Sequence, residues 1–180
     1  MAPLVRFARA FGLALLLFPV GLATHEVMHL VVYSAVGVRA ALLVTSWRLG
    51  SLGVPIFGLH SAPLSPDAVS LPVLVLNNGV GPLLAAALLL ALLASIERRS
   101  RAARAALLAN VLALVFFASI EMAYPLLEEV GHVNADVLLL PELNYGAVLL
   151  IMLVTTFLAT WRRRRPRLHV APVQRAQPAP

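Results

Sequence analysis

His25-Glu26-Val27-Met28-His29 lies inside an apolar run that extends from about Phe11 to Val38, and that setting decides how the chain is read. On a helix, His25 and His29 stand one turn apart on one face. Two imidazoles at that spacing can hold one zinc ion, and Glu26, about 100° round the helix, can reach a zinc-activated water. A soluble hydrolase places such a motif on a half-wet helix. Here Leu13-Ala14-Leu15-Leu16-Leu17-Phe18 precedes it and Leu30-Val31-Val32-Tyr33 follows it, so the motif is expected within a membrane span.

Composition agrees. Of 180 residues, 61% are hydrophobic and 12% charged, about half the charge fraction of a soluble domain. The mean hydropathy is +0.90. All fourteen basic residues are Arg, and they cluster at the ends of apolar runs. That is a topology signal rather than a phosphate-binding face, so nucleic acid is excluded as a partner despite a pI near 11.3. The absence of Cys excludes disulfides, thiolate ligands and a Cys nucleophile. No internal repeat is visible.

These features predict an all-α integral membrane protein, a four-transmembrane-helix bundle in residues 1–161. A basic, Pro-rich disordered tail over 162–180 is expected against anionic lipid. Pro19 should kink the first span. Residues 41–59 suggest a short, irregular, membrane-associated β-hairpin between the first two helices, with an interfacial loop as the alternative. His60 reads as interfacial, and Ser61–Asp67 as a Pro-rich connector. The second span covers about Val69–Ser95, broken by Asn77-Asn78-Gly79-Val80-Gly81-Pro82. The third covers about Ala105–Tyr124 and ends at Pro125, and the fourth about Tyr145–Trp161.

With four spans, every Arg except Arg39 and Arg48 falls on the side of the termini. The positive-inside rule then places both termini in the cytoplasm, in what is expected to be a bacterial inner (plasma) membrane. His25, His29, Asn77, Asn78 and Glu121 come out at one level, in the outer half of the bilayer.

An ionisable residue within a span costs about 2.5 kcal/mol or more, so unused ones are not expected to persist. Metal catalysis therefore outweighs the alternative, a pair of structural histidines with Glu26 as counter-charge. Two histidines one turn apart cannot take opposite axial positions on one haem iron. A catalytic zinc needs a third ligand. Asp136 is the first choice, at the membrane boundary before the fourth span, with His132 second and Glu121, Glu128 and Glu129 behind. Glu121 itself reads better as a helix-end carboxylate. Asn77 and Asn78 suit either substrate or oxyanion binding or interhelical hydrogen bonds.

The pattern resembles the site-2 protease family of intramembrane zinc metalloproteases. In that family the H-E-x-x-H is followed after seven residues by Gly and a β-branched residue, matched by Gly37-Val38, and then by a membrane-associated β-hairpin. A later Gly-Pro is matched by Gly81-Pro82. Ala85 stands where the family has Asn, which passes that role to Asn77 or Asn78, and Asp136 is followed by Val137 rather than Gly. The resemblance implies hydrolysis of membrane-spanning or membrane-proximal protein substrates by zinc-activated water. His25, His29 and Asp136 would hold Zn2+, Glu26 would be the general base, and the hairpin edge would hold the substrate extended. The alternatives are a catalytically inactive relative or an ion- or proton-binding membrane scaffold.

Overall fold

A computed structural model describes residues 3–49, 54–95, 100–131 and 140–161. The element order is α1 (Pro3–Ala35), β1 (Ala40–Leu49), β2 (Val54–Pro63), α2 (Leu71–Ser95), α3 (Arg101–Val130) and α4 (Pro141–Trp161), with one 3-10 turn at Pro66–Ala68 before α2. Among the described residues, four helices are long and apolar enough to cross a membrane. Leu16, Val20, Leu83, Leu88, Leu150 and Leu158 stand exposed on them, a surface suited to lipid rather than water. The tail expected over 162–180 lies outside the described residues.

α1 ends where its sequence stops it. Gly37 adopts a φ of 76°, its N–H bonds to the Ser34 carbonyl at 3.1 Å, and the Val38 N–H reaches back to the Tyr33 carbonyl at 2.9 Å. This is a Schellman stop, and the Gly-Val pair is what turns the chain out of α1 and into β1.

The hairpin is longer and more regular than expected. β1 and β2 pair antiparallel from Ala40↔Pro63 to Leu49↔Val54, so Ser61, Ala62 and Pro63 belong to the strand and not to a connector. Pro55 and Pro63 are tolerated because they share the parity of Ser61, whose N–H points away from β1. At those positions a missing N–H removes nothing from the ladder.

α3 is the central helix. Ala106, Ala109 and Ala113 bury fully against Ala14 of α1 and Val148 and Met152 of α4. Val111 and Leu114 pack with Ala85 and Ala86 of α2. Small residues let the backbones approach closely, the main source of helix association in lipid. Asn110 adds a bond across the bundle, its Nδ2 donating to the Ala14 carbonyl at 3.1 Å.

Pro125 does not end the third helix. α3 begins earlier, at Arg101, with Ser100 as its N-cap accepting from the Ala103 N–H at 3.2 Å. It runs through Pro125 to Val130 and stops at Gly131, where φ is 65°. A proline strips the bond from the carbonyl four residues back, here that of Glu121. Asn78 of α2 supplies the replacement, its Nδ2 donating to the Glu121 carbonyl at 2.9 Å, and the helix carries on.

Candidate metal centre

His25 and His29 project from one face of α1 into the bundle, 1% and 5% exposed. Their Nε2 atoms lie 2.7 Å apart. Glu121 of α3 brings one oxygen, Oε2, to 3.2 Å from His25 Nε2 and 3.1 Å from His29 Nε2. Among the described residues these three form a group able to hold a metal ion. Glu121 is thus not a helix-end carboxylate. Because α3 passes Pro125, this residue sits well inside the helix and faces the two histidines. Asp136 and His132, the preferred third ligands from the sequence, lie outside the described residues. Glu128 and Glu129 sit exposed near the end of α3.

The donor chemistry fits a cation. Each Nε2 carries at most one proton and an ionised carboxylate carries none. If both nitrogens donate to Glu121, two N–H groups face each other at 2.7 Å; if one donates to the other, the second has nothing for Glu121. With Glu121 ionised, hydrogen bonds alone do not satisfy the whole triangle. A divalent ion accepts all three lone pairs at once. Ligand nitrogens of a tetrahedral zinc site stand about 3.3 Å apart, so the triangle opens by a few tenths of an ångström to take one.

The surrounding shell supports the same reading. Asn77 Nδ2 donates to His29 Nδ1 at 3.0 Å, while Asn77 Oδ1 is buried with no partner. A metal on Nε2 moves the ring proton to Nδ1. A half-turn of the Asn77 amide then lets its orphaned oxygen accept that proton. His25 differs: its Nδ1 is buried without a partner, so this ring lacks the outer acceptor that Asn77 can offer His29. The His25 ring packs against Phe117 at 5.8 Å between centroids, which closes one side with apolar surface.

Gly81 explains why α2 carries a Gly-Pro pair at this level. A Cβ built there would fall 2.6 Å from His29 Nδ1 and 3.0 Å from its Cγ. Only hydrogen leaves room for the imidazole. Ala85, which stands where the resembling family has Asn, is fully buried in the α2–α3 contact.

Glu26 turns toward the hairpin. Its Oε2 accepts from the Ser61 N–H at 2.8 Å and from the Ser61 hydroxyl at 2.9 Å. Two cavities, of about 600 and 660 Å³, meet here and share Glu26, His60, Phe117, Glu121 and Tyr145 in their walls. His60 therefore lines the site and is more than an interfacial residue. The first cavity also takes in Asn77, Asn78 and Ser61, and the second Phe18, Leu22 and Leu59.

The structure brings together His25, Glu26, His29, Asn77 and Asn78, all singled out in the sequence, with Glu121, which the sequence ranks behind Asp136 and His132 as third ligand, and it adds Ser61. No protein-family model, curated protein or solved structure matches this chain, so its relationship to any family rests on the motifs themselves.

Proposed function

We propose that the protein is an intramembrane zinc metallopeptidase that hydrolyses peptide bonds of membrane-spanning or membrane-proximal substrates. The observation that carries the proposal is the convergence of Glu121 on the two imidazoles of the H-E-x-x-H motif. Two His and one Glu are a known ligand set of catalytic zinc, with a fourth position left for water or substrate.

In this reading His25 and His29 bind through Nε2 and Glu121 through Oε2, and Asn77 holds the His29 ring. Bound zinc would polarise the scissile carbonyl and bring the pKa of a water to about 7. Glu26 accepts the proton and hands it to the departing amine. Phe117 and the apolar helix faces limit the entry of bulk water.

The hairpin supports a substrate held extended. Ser61 shows that the outer edge of β2 faces the site, and Leu59 and Ser61 line one cavity each. A peptide pairing along that edge ahead of Ser61, whose own N–H is taken by Glu26, would run beside the metal centre. The Arg distribution supports cytoplasmic termini in a bacterial inner membrane and an outward-facing site. A place in the site-2 protease family, suggested by Gly37-Val38 and Gly81-Pro82, belongs to the same proposal.

The test is metal content and cleavage on detergent-purified protein. Wild type is expected to hold one zinc per chain and to cut a reporter bearing a transmembrane segment. Glu26→Gln keeps the zinc and loses cleavage. Zinc without cleavage in wild type would point to an inactive relative, and no zinc at all to a scaffold.

A further inference from the structure

We propose that Ser61 is a positioning residue for Glu26, fixing the carboxylate through two hydrogen bonds to a single oxygen. The inference rests on the peptidase reading and adds a residue that the H-E-x-x-H motif does not contain.

A glutamate has three side-chain torsions, and on a helix facing a cavity it samples several rotamers. Here both Ser61 donors, N–H at 2.8 Å and Oγ–H at 2.9 Å, converge on Oε2. Ser61 is 7% exposed, so little water competes for either bond. With Oε2 held, Oε1 is the oxygen that Ser61 leaves available to take a proton. The parity of β2 makes this possible. Ser61 N–H belongs to the outer edge of the strand and is not needed by the ladder with β1. The hairpin thus does more than stand beside the substrate path. It reaches from sequence position 61 to the helix that carries the base, 35 residues earlier.

Proton transfer demands a base within about 2.6–3.2 Å of its target, and a misplacement of about 1 Å can cost about a hundredfold. The hydroxyl is one of two anchors, so its loss should be felt in turnover and not in binding. The experiment uses the full chain, zinc-loaded in detergent, with a quenched-fluorescence reporter carrying one transmembrane segment. Ser61→Ala is expected to lower kcat about tenfold, with KM and zinc stoichiometry unchanged, and Ser61→Thr to return kcat to within about twofold of wild type. An unchanged kcat, an effect confined to KM, or a Thr variant as slow as Ala overturns the proposal. A second measurement needs no turnover. In Glu26→Ala the Ser61 amide should exchange with deuterium about tenfold faster, while the β1–β2 ladder amides keep their rates. Equal exchange at Ser61 would show that the carboxylate does not hold it, and the proposal fails. A wild type that neither binds zinc nor cleaves defeats the peptidase reading and the positioning role together. A cleaving wild type indifferent to Ser61→Ala defeats the positioning role alone.

Discussion

Gly81 and His29 lie against each other so closely that a methyl group on the glycine would fall 2.6 Å from the imidazole Nδ1. The group in the way is an aromatic ring whose Nδ1 is also hydrogen-bonded by Asn77, one turn earlier on the same helix, with no flexible end to swing aside. Gly81→Ala should therefore displace His29 and weaken zinc binding by about tenfold or more. Helix propensity works in the opposite direction, since Ala is favoured over Gly by about 1 kcal/mol within a helix. Overpacking costs about 1–3 kcal/mol, so reduced zinc affinity with an unchanged or lowered melting temperature is the expected outcome. Zinc competition with a chromophoric chelator reads it, and unchanged affinity would remove the close contact from the account.

Asn77 tests the tautomer. Loss of an outer-shell partner of a ligating histidine lowers metal affinity about 10–100-fold. Asn77→Ala should fall in that range. Asn77→Asp offers only acceptors, which suits a Nδ1–H on a metal-bound ring, so it should bind zinc at least as well as wild type. If Asp weakens binding as much as Ala does, His29 does not present Nδ1–H to position 77.

Glu121 and Asp136 can be separated directly. With Glu121 as third ligand, Glu121→Gln should weaken zinc more than about a hundredfold, because a neutral amide replaces the only charged donor of the triangle. Asp136→Asn is then expected to leave affinity within about threefold. The reverse order of effects would return the ligand role to Asp136. Both variants are compared by zinc titration at one pH, since ligand protonation competes with metal.

The spans were legible in the sequence because long apolar runs have few other interpretations, and the H-E-x-x-H residues because helical spacing fixes which side chains share a face. Helix ends were less so. The third span reads from about Ala105, yet Ser100 caps the helix and Arg101 and Arg104 both belong to α3. Pro125 reads as a terminator because a sequence does not show which neighbour will satisfy the carbonyl it frees. Glu121 was ranked low for the same reason: a residue four positions before a supposed helix end is expected at the interface. The signal was present, since a carboxylate and a freed carbonyl at one residue, 121, are two polar anomalies in the same place. The role of Ser61 was not legible at all. It depends on the hairpin register, which short apolar runs with two prolines do not reveal.

Asn78 and Pro125 should be energetically coupled, and a double-mutant cycle measures by how much. Asn78 Nδ2 donates to the Glu121 carbonyl that Pro125 leaves without a helical partner. In the wild-type background Asn78→Leu should destabilise by about 1–2 kcal/mol, at the upper end for an interhelical hydrogen bond, because a part-buried carbonyl is left unpaired. In a Pro125→Ala background the new Ala N–H can reach that carbonyl, and the same substitution should cost about 0.5 kcal/mol or less. The coupling, about 1 kcal/mol, is read from thermal or denaturant unfolding in detergent of the four chains. Additive effects would mean that the Asn78 bond does not compensate for the proline. The continuation of α3 to Val130, which puts Glu121 inside the bundle opposite His25 and His29, would then need another cause.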